Sequence, residues 1–375
     1  MNVWGPDAPL SGFYGQTVRE IARLALGGSS LVLRFSNEYG TTPVVLDSVT
    51  VARAAESGRV EPLTTQKVTF GGAQGTTIYP GAPCFSDPVE MTTTPLCRLA
   101  VSYYSPGFIP IATHHLEAQQ TAYVSVPGNF VATEQIIVQQ TTTSHYLLSS
   151  IQTQSDARSR AIVCIGDSIT DGYGSSIDTD RRWPDLLAER LQQRPELRHV
   201  AVLNQGIGGN RLLHCRRGDL LLARLDRDVF NLRHVSHLIV LEGINDIVWP
   251  NTVLAGPQEV VSAAEIIAGY KQIISRARLA GLKVLLGTLT PFEGTLPQFP
   301  HGGYFTPDKE RIRQSVNRWI RSDSGADGVI DFDATLRDAE HPSRLRPDYD
   351  SGDHIHPGDV GYRAMANAID LSLLL

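Results

Sequence analysis

Apolar and polar positions alternate along the first 150 residues and change to a longer period beyond them. Ser30-Leu31-Val32-Leu33-Arg34-Phe35-Ser36-Asn37 and Arg98-Leu99-Ala100-Val101-Ser102-Tyr103 repeat at every second residue, the spacing of strands with one buried face. Between such runs stand turn-forming clusters, Gly27-Gly28, Gly71-Gly72, Tyr79-Pro80-Gly81 and Pro106-Gly107. Only residues 17–26 carry a weak helical period. Many short strands with frequent turns predict an all-β sandwich or jelly roll over residues 1–155.

From residue 161 onward, short apolar runs alternate with amphipathic stretches of helical period. Strands are predicted at 161–165, 199–203, 237–241, 283–288 and 328–332, and helices at 183–193, 218–228, 260–280, 308–321 and 357–373. This βαβα order calls for a parallel sheet covered on both faces and joined by right-handed crossovers. The polar stretch Gln152-Thr153-Gln154-Ser155-Asp156 interrupts the pattern and places the boundary between two domains, 1–155 and 156–375. No repeat of fixed period is visible.

Composition narrows the function classes. A chain of 375 residues, 42% hydrophobic and 19% charged, suits two globular domains, each able to bury a core. A net charge of -6 offers no basic excess for nucleic acid or an anionic membrane surface. No run approaches the ~20 apolar residues of a membrane span. The start, Met1-Asn2-Val3-Trp4-Gly5-Pro6, lacks the basic and apolar regions of a secretory signal, so the chain reads as cytoplasmic, or as extracellular with its leader removed. Cys84, Cys97, Cys164 and Cys215 have no metal-site spacing. Cys164 reads as a buried, inert thiol, and pairing of Cys84 with Cys97 stays open.

Candidate chemistry lies where predicted strands end. Gly166-Asp167 breaks the first strand and puts Ser168 at its carboxyl end, in the crevice where α/β sheets place ligands. The next two strands run into Asn204-Gln205-Gly206-Ile207-Gly208-Gly209-Asn210-Arg211 and Glu242-Gly243-Ile244-Asn245-Asp246, and Asp353-His354-Ile355-His356-Pro357 precedes the last helix. Taken alone, Ser168 reads equally as a helix or turn cap. Together the blocks supply what acyl transfer needs. His356 is a base for the serine hydroxyl, Asp353 orients the imidazole, and the N–H groups of Ser168 and Gly209 with the Asn245 amide are donors for an oxyanion. His354 is the rival base, and Asp167 reads as a turn residue. Gly206 and Gly208 read as positions of backbone freedom. Trp249, Phe292 and Tyr304, the last two in a long Pro- and Gly-rich loop over 291–305, are candidates for a substrate-pocket wall.

In these four ordered blocks the chain resembles the SGNH hydrolases, the GDSL esterase and lipase family, over roughly residues 160–372. The resemblance implies a flavodoxin-like three-layer α/β/α hydrolase domain, with Ser168 as nucleophile, Asp353 and His356 as its relay pair, and Gly209 and Asn245 in the oxyanion hole. Ile169 replaces the usual leucine. Gly208-Gly209-Asn210 stands where serine or alanine followed by Gly-Asp is common, and alignment favours Gly209 over Gly208. The Gly-x-Ser-x-Gly elbow of the α/β-hydrolases is absent around Ser168, and no carboxylate pair announces a glycosidase.

The expected activity is a serine esterase working through an acyl-enzyme, with no metal or organic cofactor. Some carbohydrate esterases of this superfamily join a jelly roll to such a domain, and that likeness implies short acyl groups such as acetyl, on a small molecule or a saccharide. The alternatives are a lipase, lysophospholipase or thioesterase acting on longer chains, and a binding module without activity. The β domain is read as a glycan binder, a completion of the cleft, an oligomerisation surface or a packing partner.

Overall fold

A computed structural model describes residues 12–296 and 303–375. The chain divides into two compact units, Met1–Ala157 and Arg158–Leu375.

Among its described residues the first unit is built of β-strands, with one short 3-10 turn at Glu56–Gly58. Six antiparallel strands form one sheet in the order Val138–Thr142, Ala122–Pro127, Gln16–Arg23, Arg98–Tyr104, Ser48–Arg53, Gln66–Val68. A second sheet holds Leu148–Thr153, Gly28–Ser36 and Pro83–Phe85, with Val89–Thr93 also paired to Gly28–Ser36. Alternate residues of both sheets meet in one core. Val18, Val51, Leu99, Val101 and Tyr103 come from the first sheet, and Leu31, Leu33, Phe35 and Val89 from the second. Period-two burial is what lets two sheets share an apolar interior. Cys84 and Cys97 pack against this core as separate free thiols.

The weak helical period at 17–26 is overturned, because Gln16–Arg23 is a central strand. Its alternation is hidden because both of its faces are covered. Val18 lies in the sandwich core and Ile21 in a smaller apolar cluster with Ala52, Val60 and Ala100. Two charged residues are buried between them. Arg19 is held by Ser102 Oγ and by the carbonyls of Gly58, Thr133 and Glu134. Glu20 Oε1 accepts from Tyr103 Oη at 2.8 Å and the Tyr146 N–H at 2.7 Å.

The second unit is an α/β domain. Its strands, numbered within this unit, are β1 (Arg160–Gly166), β2 (Val200–Gly206), β3 (Val235–Leu241), β4 (Lys283–Gly287) and β5 (Gly328–Ile330). They pair in the order β2-β1-β3-β4-β5, every pair parallel, which is the flavodoxin-like order with its switch point between β1 and β3. Ala161 to Ile165 are buried on both faces, as a central parallel strand requires. The longer helices are α2 (Trp183–Gln192), α5 (Ala263–Leu279), α6 (Pro307–Ser322) and α8 (Asp359–Ala368). Helix α5 begins at Ser262, whose hydroxyl accepts from the Glu265 N–H while the Glu265 carboxylate reaches back, a capping box that sets the start three residues later than predicted.

Four short helices differ from the sequence-based expectation. Two of them, α1 (Ser168–Asp171) and α4 (Ile244–Val248), follow directly on strand ends. The helix expected at 218–228 is α3 (Leu221–Leu225) continued by a π-helical turn at Asp226–Phe230. The strand expected at 328–332 stops at Ile330, because Asp331 caps α7 (Phe332–Leu336) through the Ala334 N–H. Among the described residues no helix is long and apolar enough to cross a membrane.

Candidate active site

Ser168 opens α1 immediately beyond β1. Asp167 is the residue before that helix, and its carboxylate accepts from the Ile169 N–H at 2.9 Å, so it acts as a turn cap. As the first residue of α1, Ser168 has an N–H without an intrahelical acceptor. Gly172 closes the helix at φ +102, where a Cβ would also run into the Arg182 side chain.

The histidine arrives from the far end of the sequence. In the loop before α8, Asp353 Oδ1 accepts from the N–H groups of Ile355 at 3.1 Å and His356 at 2.9 Å, which folds the segment back on itself. Asp353 Oδ2 lies 2.5 Å from His356 Nδ1, and His356 Nε2 lies 2.7 Å from Ser168 Oγ. Burial alone would raise the Asp353 pKa, but its hydrogen bond to His356, the imidazole charge and the two N–H donors outweigh it and hold the carboxyl at about 2. It is therefore ionised throughout the neutral range. The Tyr173 ring packs on His356 with centroids 4.6 Å apart, and the Tyr173 carbonyl accepts from Tyr362 Oη. His354, the rival base, pairs instead with Asp350 Oδ2 at 2.5 Å.

The turn after β2 brings up the second block. Gly209 has φ +74, and a Cβ there would meet the Trp249 ring within 3.0 Å, so both conformation and space demand glycine. The Gly208 N–H is engaged by Asp171 Oδ2 at 3.0 Å. Gly206 is glycine for lack of room, since a Cβ would lie 2.2 Å from the Asp171 backbone nitrogen. Asn245, in α4, is 5% exposed, and its Nδ2 donates to the Asn210 carbonyl at 2.9 Å, using one of two amide hydrogens and fixing the side chain. Asp246 Oδ2 and Oδ1 accept from the N–H groups of Leu212 and Leu213 at 2.7 and 3.0 Å, tying α4 to the same turn.

Immediately beyond the carboxyl ends of β1 and β3 lie two buried carboxyls, Asp167 and Glu242. Burial pushes both up; the Asp167 charge raises Glu242 further, and the Asp246 and Asp171 charges raise Asp167. The three candidate wall residues are packed away. Trp249 lies against Gly209 and beneath the Arg211 guanidinium, 5.2 Å from its ring. Phe292 has no exposed surface and its ring packs on Phe305 with centroids 5.1 Å apart. Tyr304 is 4% exposed. The loop stretch Pro297-Gln298-Phe299-Pro300-His301-Gly302 lies outside the described residues. Among the described residues no group of three or more His, Cys, Asp or Glu is arranged to hold a metal ion.

The sequence assigns no role to Tyr173, Asp171 or Arg224, nor to Asn210 within the second block, yet all four bond to or pack on the elements of this site. Arg224 alone leaves a trace, as an arginine three residues after Leu221 on the buried side of a leucine-rich stretch.

The family described as GDSL-like lipase/acylhydrolase matches residues 164–364. Solved structures similar to the chain include a GDSL-like lipase from Bacteroides thetaiotaomicron, 19% identical over 60% of this chain and 92% of that one, with a TM-score of 0.44. An acetylxylan esterase from Geobacillus stearothermophilus is 22% identical over 57% and 94%, with a TM-score of 0.42. An α/β hydrolase from the metagenome of Lake Arreo is 22% identical over 57% and 94%, at 0.43. No curated protein matches the chain. The matched segment runs from within β1 into α8 and takes in more than half of the 375 residues, so the chain belongs to the GDSL-like lipase/acylhydrolase family and is a carboxylic ester hydrolase.

Proposed function

We propose that the enzyme cleaves short-chain acyl esters, acetyl esters first, through an acyl-enzyme on Ser168. The observation that carries this reading is the unbroken line of hydrogen bonds from Asp353 through His356 to Ser168 Oγ, with contacts of 2.5 and 2.7 Å. As Ser168 Oγ attacks the ester carbonyl, its proton passes to His356 Nε2. Asp353 holds the Nδ1–H tautomer and stabilises the imidazolium as it forms. The carbonyl oxygen becomes an anion and takes hydrogen bonds from the N–H groups of Ser168 and Gly209 and from the second Nδ2 hydrogen of Asn245. The engagement of the Gly208 N–H by Asp171 supports Gly209 as the backbone donor in this turn. Collapse of the tetrahedral species breaks the bond to the alcohol, which leaves with the proton from His356. Water then repeats the sequence on the acyl-enzyme and releases the acid.

The preference for short acyl groups is supported by the packing of Trp249, Phe292 and Tyr304, which leaves these rings little surface on which to lay a long chain. Acetylated saccharides are the substrates we favour. The test is a series of p-nitrophenyl esters from acetate to palmitate together with acetylated sugars, run on the wild type and Ser168→Ala. We expect activity to fall beyond butyrate, deacetylation of at least one sugar ester, and loss of about 10⁴-fold or more in Ser168→Ala. A rise toward long chains would overturn the substrate reading, and an active Ser168→Ala variant would overturn the site.

A further inference from the structure

We propose that Arg224 is a positioning residue for the oxyanion pocket, acting through Asn210 to hold the 206–211 turn in register with the strand that carries Ser168. The inference rests on the roles given above to Ser168, Gly209 and Asn245.

Arg224 lies in α3 with its side chain fully buried. Its guanidinium reaches four acceptors on separate segments. Nη2 donates to the Gly166 carbonyl at 3.0 Å, two residues before Ser168. Nη1 donates to the Gln205 carbonyl near the end of β2 at 2.8 Å, and to Asp228 Oδ2, one helical turn along, at 3.1 Å. Nε donates to Asn210 Oδ1 at 2.9 Å. Asn210 spreads the constraint further. Its Nδ2 donates to the carbonyls of Arg217 and Asp219, its N–H to the carbonyl of Ile207, and its own carbonyl receives the Asn245 amide. One planar cation thus lies within two residues or two hydrogen bonds of all three proposed oxyanion donors. Asp228 balances its charge.

Only arginine offers donors in a rigid fork that satisfies acceptors in several directions at once, and a lysine ammonium on a flexible stem cannot span them. Arg224 has no surface toward a substrate, so it works by keeping Gly209 and Asn245 where the negative charge develops. Loss of one aligned donor costs about 10²- to 10³-fold in rate, and a misplacement of about 1 Å costs about 10²-fold. The loss falls on kcat because the oxyanion exists only in the transition state.

The test compares Arg224→Lys, Asn210→Ser and the double variant on p-nitrophenyl acetate. Rates are divided by the sites that a fluorophosphonate labels at completion, so that misfolded protein is not counted. We expect kcat per labelled site to fall about 10- to 100-fold in each single variant, with KM within about twofold and the pH profile of kcat/KM unmoved. The double variant should be no worse than the worse single one, since both cut the same link. Wild-type kcat per labelled site, or losses that multiply in the double variant, would overturn the proposal. If Arg224→Lys does not fold, Asn210→Ser decides alone, with a fall in kcat at constant KM for the proposal and an unchanged kcat against it. Ser168→Ala separates the two readings, because activity retained there sinks the assignment of the site itself, whereas an inactive Ser168→Ala beside a fully active Arg224→Lys sinks only the role of Arg224.

Discussion

At the scale of single residues the site is a problem in electrostatics. In the proposed reaction the serine hydroxyl yields its proton to a base of fixed tautomer, which Asp353 would set by accepting the hydrogen bond of His356 Nδ1, 2.5 Å away. Asp353→Asn should therefore lower kcat by about 10³- to 10⁴-fold with KM nearly unchanged, in steady-state assays at neutral pH. The same contact has a thermodynamic side. With the carboxyl at about 2 in the folded chain against an ordinary 3.8, its ionised form contributes stability that is complete above about pH 4 and is lost as pH falls toward 2. Denaturation midpoints of wild type and Asp353→Asn, measured from pH 6 down to pH 2, should diverge least at the acid end. A constant difference across that range would contradict the pairing. Ser168, Asp353 and His356 stand out in the sequence as candidates because each sits in a short block with fixed spacing, and the fold brings the three into contact. Asn210 and Arg224 do not, because their part is set by hydrogen bonds between segments that only the fold brings together.

At the scale of elements, what could be read from pattern depended on how each element is covered. The strands β1, β3 and β4 announce themselves as apolar runs because both of their faces are buried, and amphipathic stretches mark α5 and α6 for the opposite reason. Gln16–Arg23 misleads, since it buries Arg19 and Glu20 beside apolar neighbours and so shows no simple period. Glu20 makes that exception measurable. Burial raises its carboxyl from 4.5 to about 7, against the lowering effect of the Tyr146 N–H and the Tyr103 hydroxyl, and its Oε2 has no partner among the described residues. A folded-state pKa above the unfolded one means the chain holds a proton on folding, so stability is full below about pH 4.5 and declines as pH rises to 7. The decline is worth about 3 kcal/mol at about 1.4 kcal/mol per pH unit. Glu20→Gln keeps an acceptor for the two donors and removes the titration. It should match the wild type near pH 4 and exceed it at pH 8, as read by urea unfolding. Equal pH slopes in the two proteins would show that Glu20 is not buried as a neutral acid.

At the scale of the whole molecule, the change from period-two strands to βαβα alternation reports a change of architecture, and the candidate site residues all lie on one side of it. We propose that the division near residue 155 is also a division of labour. Ser168, Gly209, Asn245, Asp353, His356 and Arg224 all belong to the unit Arg158–Leu375, whose sheet order is complete in itself. Within that unit the last described residues are bonded to the sheet. Arg160, at the start of β1, donates to the carbonyl of Leu374 at 2.5 Å, and the Lys283 ammonium, at the start of β4, donates to the carbonyl of Leu375 at 3.3 Å. About 220 residues with a covered parallel sheet are enough for a domain that folds alone. Residues 156–375 produced by themselves should therefore show one cooperative unfolding transition and hydrolyse p-nitrophenyl acetate with kcat/KM within about tenfold of the full chain. If this fragment folds but loses activity on so small a substrate, the β unit takes part in the chemistry. If activity on p-nitrophenyl acetate is kept while activity on acetylated polysaccharide is lost, the β unit serves the saccharide alone.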